Sequence, residues 1–175
     1  MTNQSPLTRI PENSSYLQET KFTFSFPTLP FLRYFCQGIS IPGVSTSAVE
    51  VSSPFASTYR HGDKLVFDDF AITCIVDEDL RVWEESYNWL VALTKPAKFP
   101  QYIRNLPNGR NEPYHDGVLT TNTNANLPNV RFKFTYCHPV SISAIQFTTT
   151  GDADTTMTID IRFRYDALEI DRLDF

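Results

Sequence analysis

The most regular feature of the chain is alternation. Phe22, Phe24 and Phe26 alternate with Thr23 and Ser25, a period of two that predicts a half-buried strand over 21–26. Pro27 and Pro30 end it. Residues 31–37 read as a second strand, closed by the turn chemistry of Pro42-Gly43. Alternation is weak over 45–51, where only Val49 and Val51 carry it. The stretch 52–62 is poor in apolar residues and holds Pro54, Phe55, Tyr59, Arg60 and His61. Together these predict an exposed hairpin arm over about 45–63. Residues 63–76 form the strongest β run. Leu65 and Phe67 lie on one face, and Phe70, Ile72, Cys74 and Val76 resume the pattern after a one-residue slip at Asp68-Asp69, which predicts a bulge there.

A period of 3.6 occurs once. Leu80, Trp83, Tyr87, Leu90 and Val91 recur at helical spacing behind the acids Asp77, Glu78 and Asp79, predicting a helix over 78–94. The acids suit its positive end and Asp77 can cap it. Pro96 stops it, and 96–114 is a Pro/Asn/Arg-rich loop. Strands follow at 117–121, 130–136, 140–147 and 155–168. In the last, Met157, Ile159, Ile161, Phe163 and Tyr165 face one way, while Thr156, Thr158, Asp160, Arg162 and Arg164 face the other. The predicted organisation is an N-terminal arm over 1–19, one β domain over 20–170 and a short tail over 171–175. One mid-chain helix among seven or eight strands excludes alternating βαβ units. The fold class is mainly β, an antiparallel β-sandwich or barrel with one flanking α-helix.

Length and composition sharpen this reading. The chain has 175 residues, enough for one domain. It holds 14 Phe, 8 Tyr and 19 Thr against 6 Gly, a β-favouring balance. The net charge of −5 argues against gripping nucleic acid, which needs a basic footprint. The charge is also uneven. Residues 62–90 carry eight acids and two bases (−6), 91–137 six bases and two acids (+4), and 151–175 seven acids and three bases (−4). Complementary patches of this kind favour ordered self-association; a mixed solvated surface is the plain alternative. No run approaches 18 apolar residues, so membrane insertion is not expected. Cys36, Cys74 and Cys137 are odd in number. Buried free thiols are the first expectation, with a disulfide between two of them as the alternative.

Catalytic chemistry finds no assembled set. His61, His115 and His138 lack ligand spacing, and Cys137-His138 would point to opposite sides of a strand. Asp68-Asp69 suit a turn better than acid/base work, and Asp152 and Asp154 lack the rest of a calcium loop. No enzyme, metal site or cofactor is expected.

Residues 39–93 carry a resemblance. Ile41-Pro42-Gly43, a variable arm, Gly62-Asp63, Phe67-Asp68-Asp69-Phe70, and Asp77-Glu78 leading into a helix bearing Trp89 follow in an order that resembles the tail tube proteins of contractile-tailed phages. The resemblance implies a β-sandwich or barrel flanked by a helix. It implies six copies to a ring, and rings stacked into a conduit for DNA ejection. It extends to baseplate initiators, neck terminators and the tube of type VI secretion. By implication the partners are further copies of the chain, tail sheath, baseplate or neck proteins, and genomic DNA passing without specific binding. The location would be the virion, assembled in the host cytoplasm. Pro54, Phe55, Tyr59, Arg60 and His61 become an arm for inter-ring or inter-subunit contact, with Arg60 meeting a neighbour's acidic 63–79 surface. Thr156, Thr158, Asp160, Arg162 and Arg164 become candidates to face an acidic lumen. A β-sandwich binding module is the reading from a different class.

Overall fold

The computed structural model describes residues 15–27, 29–98, 113–151 and 155–173. The chain order is β1 (Phe22–Ser25), α1 (Pro30–Phe35), β2 (Cys36–Ile39), β3 (Val44–Ser52), β4 (Ser57–Phe67), β5 (Phe70–Ile75), α2 (Arg81–Thr94), β6 (His115–Asn122), β7 (Pro128–Ile142), β8 (Thr158–Arg164) and β9 (Ala167–Arg172). Among the described residues it is mostly β, every pairing is antiparallel, and there are two helices rather than one.

Two sheets share one strand. The N-terminal part of β7 lies between β6 and β9, with β1 beyond β6. Its C-terminal part pairs with β8, which leads to β5 and β2. The join is at Tyr136, whose φ of 55° is left-handed, a conformation that non-glycine residues seldom adopt. Its N–H donates to the Asp116 carboxylate at 3.2 Å, holding the bend against β6. Residues read as two strands, 130–136 and 140–147, are thus largely one, broken in side-chain phase rather than in chain course.

The core lies between the two sheets and α2. Phe70 is its hub: its ring stacks on Phe134 at 4.6 Å and on Phe163 at 5.3 Å, and lies 6.3 Å from Phe24 edge-on. Alternation placed these side chains. Phe70, Ile72 and Cys74 are buried on β5, and Ile159, Ile161 and Phe163 on β8. Gly117 of β6 lies so close beneath the Phe26 ring that a Cβ there would meet it at 3.0 Å.

Four local readings change. Residues 31–35 belong to a helix, not a strand. Pro30 presets the first turn, and the Glu85 carboxylate of α2 accepts the Leu32 N–H at 3.2 Å. Asp68-Asp69 form no bulge within a strand. They are where the chain leaves the β3–β4 hairpin for the core sheet; Asp68 N–H donates to the Gly43 carbonyl at 3.0 Å. The run 155–168 is β8 plus the start of β9, with the Asp166 N–H donating to Thr135. β9 reaches Arg172, opposite Val130, so a strand extends into the segment read as a tail.

Candidate functional site

Three surfaces stand out. The first is the hairpin of β3 and β4. Its register runs from Val44↔Phe67 at the root to Ser52↔Ser57 at the tip, and it forms a two-stranded sheet of its own. An isolated two-stranded sheet is marginal in water. Along β3 every residue is exposed. Val49 is 53% exposed, Phe55 99%, Tyr59 69%, Leu65 59% and Val66 51%. Because Val49 pairs with Arg60 and Glu50 with Tyr59, apolar side chains stand on both faces. Pro54 and Phe55 are at the tip, Arg60 and His61 on the outgoing strand. Gly62-Asp63 sit where the register slips: Thr46 pairs with Leu65 but Ala48 with His61. Two extra residues are taken up on β4 there, and any Cβ on Gly62 would run into the Ser47 carbonyl.

The arm's root is tied to the core. Gly43 touches Asp68, Phe67 packs on Tyr165 at 5.3 Å, and Asp69 pairs with Arg164 at 2.8 Å. Ile41 is half exposed and Pro42 nearly buried. Burial pushes the Tyr165 phenol up to about 12, and Asp68 adds to the shift.

The second surface is the outer face of the β5–β8 sheet. Thr158, Asp160, Arg162 and Arg164 all point outward, and Thr156 precedes them, also exposed. Asp160 accepts the Thr73 hydroxyl at 2.6 Å. With the Asp69–Arg164 pair, two acids and two bases share this face, so it is polar and balanced rather than acidic.

The third surface went unread in the sequence. The buried face of α2 is Val82, Ser86, Trp89 and Ala92, not Leu80, Trp83, Tyr87, Leu90 and Val91. Small Ser86 and Ala92 let the helix approach the sheet closely. Tyr87 is left outside, stacked at 5.0 Å on Trp83, which is half-buried against the core cluster. Beside them Arg81 lies over the Phe31 ring at 5.6 Å and pairs with Asp79 at 2.6 Å. A groove of about 560 Å³ runs between α1 and Asp77, Glu78 and Asp79. Asp77 caps α2 through the Val82 N–H at 3.3 Å, and Leu80 adopts a left-handed φ of 56° to begin it. Burial of Glu85 raises its carboxyl to about 6, against the backbone bonds from Leu32 and Phe31 that lower it.

Among the described residues no group of three or more His, Cys, Asp or Glu side chains could hold a metal, and no helix is long and apolar enough to cross a membrane. Asp152 and Asp154 lie outside the described residues. His115 is buried against Trp89, ring to ring at 4.6 Å. Burial pushes its pKa down to about 4, and Asp116 only partly offsets this. The folded value lies below the unfolded one. The stabilisation from a neutral imidazole is therefore fully present above about pH 6.5 and is lost as pH falls toward 4. Glu85 acts oppositely, its charge being relieved as pH falls through 6. In a Glu85→Gln background, unfolding stability should drop by about 2 kcal/mol between pH 7 and 5. Adding His115→Gln should flatten that slope in denaturant titrations; an unchanged slope would refute the assignment.

The family model described as "Phage tail tube protein" matches residues 7–170. The chain belongs to the phage tail tube protein family. No curated protein matches it. Its fold is similar to that of the anti-feeding prophage tube-terminating cap (TM-score 0.62, 12% identity, 97% of this chain and 100% of that chain). It is also similar to a chain of the anti-feeding prophage baseplate (0.58, 10%, 90% and 97%). A third likeness is to a chain of the PVC extracellular contractile injection system sheath–tube complex in its extended state (0.58, 13%, 91% and 94%). The tail tube resemblance carried by residues 39–93 therefore holds over most of the chain. As a tail tube protein this chain is structural rather than enzymatic. Of the family-motif positions, Trp89 is core, Asp77 a cap, Glu78 lines the α1 groove, Gly43, Phe67, Asp68 and Asp69 form the arm's root, and Gly62 and Asp63 lie within the arm.

Proposed function

We propose that this tail tube protein assembles into rings, six copies to a ring, which stack into the tube of a contractile phage tail and conduct DNA during ejection. The observation that carries this reading is the β3–β4 arm. It exposes apolar side chains on both faces, and nothing among the described residues covers them. A second copy supplies cover, and Arg60 then reaches a neighbour's acidic 63–79 surface. The polar, balanced face of Thr156, Thr158, Asp160, Arg162 and Arg164 suits the lumen, because phosphates find no net positive field to bind. The exposed aromatic edge of Phe31 and Tyr87 is left for tail sheath, baseplate or neck proteins. Assembly takes place in the host cytoplasm and the protein resides in the virion.

Similarity along the full length of a tube-terminating cap supports a second reading, in which the chain ends or starts the tube and its rings do not stack on one another. Negative-stain microscopy of the purified protein across a concentration series separates the two. Stacked rings support the main tube, and single rings support a terminator or initiator. Monomers at every concentration, alone and with tail components, overturn both.

A further inference from the structure

Cys36 and Cys74 stand opposite each other where β2 pairs with β5. Directly opposed antiparallel residues lie about 4.5–5.5 Å apart at Cα, inside the roughly 4.4–6.8 Å that a disulfide spans. Both side chains are on the core side. Cys74 is fully buried, and Cys36 packs against the same hydrophobic cluster. Cys36 Sγ donates to the Gly38 carbonyl at 3.6 Å. Gln37 is skipped in the register, so the backbone beside Cys36 is not held in a regular ladder.

The pair is asymmetric. Cys36 lines a polar cavity of about 340 Å³ with Arg33, Gln37, Thr20 and Thr23, and Cys74 does not. The neighbouring Cys74 side chain holds the Cys36 thiol below its ordinary value, while Cys36 and burial push that of Cys74 up. Arg33 at the cavity wall offers a cation to a carboxylate on an incoming molecule. Cys137 has no such opening: it is fully buried, bonds to the Phe134 carbonyl and is pushed up to about 12 by burial.

We propose that Cys36 and Cys74 form a reversible thiol–disulfide site for carboxylate-bearing low-molecular-weight disulfides, with Cys36 as the attacking and Cys74 as the resolving thiol. The Cys36 thiolate attacks one sulfur of the external disulfide. That S–S bond breaks, and the departing thiolate takes up the proton Cys36 released. Cys74 then loses its proton and attacks the Cys36 sulfur, expelling the second small thiolate, which takes that proton. Two protein thiols are oxidised and one external disulfide is reduced to two thiols. The product ties edge strand β2 to β5 and closes a loop of 74 − 36 = 38 residues that contains the whole arm.

The test is incubation of the full-length protein with glutathione disulfide near neutral pH, followed by alkylation and peptide mapping. A Cys36–Cys74 link with Cys137 alkylated, reversed by dithiothreitol and raising Tm by about 5–10 °C, is expected. Cys74→Ser should retain a mixed disulfide on Cys36, and Cys36→Ser should react at least ~10-fold more slowly. Three free thiols in the treated wild type overturn the proposal without recourse to any variant. So does a link through Cys137, or faster reaction at Cys74 than at Cys36.

Discussion

Replacing residues 49–60 with an Asn-Gly turn should give a folded monomer that no longer stacks. The excision keeps the Ala48↔His61 pair and the hairpin's root, and Asn-Gly suits a two-residue hairpin turn. The removed side chains are exposed, so little core burial is lost and Tm should move by no more than ~2 °C. Association should suffer heavily, because Val49, Val51, Phe55, Tyr59 and Arg60 are all removed. Large aromatic and Arg side chains dominate interfaces. A shift of at least about 100-fold in the concentration needed for assembly corresponds to ~3 kcal/mol. Sedimentation velocity measures this, and electron microscopy shows whether rings remain. Unchanged stacking would remove the arm from the interface.

Trp89→Ala should be the most damaging single substitution in α2. Trp89 is fully buried, 5.7 Å from both the Phe26 and Phe163 rings, and donates its indole N–H to the Pro113 carbonyl at 2.9 Å. It is the contact that joins the helix, β1, β8 and the entry to β6. Truncation of a buried Trp costs about 3–5 kcal/mol and takes the indole donor from the part-buried Pro113 carbonyl. In a chain of this size that lowers Tm by roughly 6–20 °C. Trp89→Phe keeps most of the packing and should cost about 1–2 kcal/mol. Thermal and denaturant unfolding measure both. A loss under about 1 kcal/mol for Trp89→Ala would mean that the helix is not anchored there.

The legible parts of the chain are those whose burial pattern is one-sided. β5 and β8 could be read residue by residue, because Phe70, Ile72 and Cys74, and Ile159, Ile161 and Phe163, alternate between core and outside. The hairpin was legible from the reverse sign, a long segment with little to bury. α1 was not, since six residues give fewer than two helical turns of periodicity, and its start depends on Glu85, some fifty positions away. The face of α2 was misread by placing Tyr87 in the core, whereas the small Ser86 and Ala92 are buried beside Val82 and Trp89. Of the candidate surfaces, the arm and the β8 face came from local pattern. The α1–α2 ridge and the Cys36–Cys74 pair came only from register and packing between distant segments.

Strand β7 runs fifteen residues, about 50 Å if fully extended, and belongs to both sheets, turning at Tyr136. In an aligned sandwich the two inner faces meet through interdigitating side chains. Here covalent backbone crosses from one layer to the other. A pull on either sheet is carried along a main chain anchored by ladder hydrogen bonds on both sides of the bend, and the layers cannot slide apart without breaking them. In the tail tube proposed above, that strand acts as a stiffening spar.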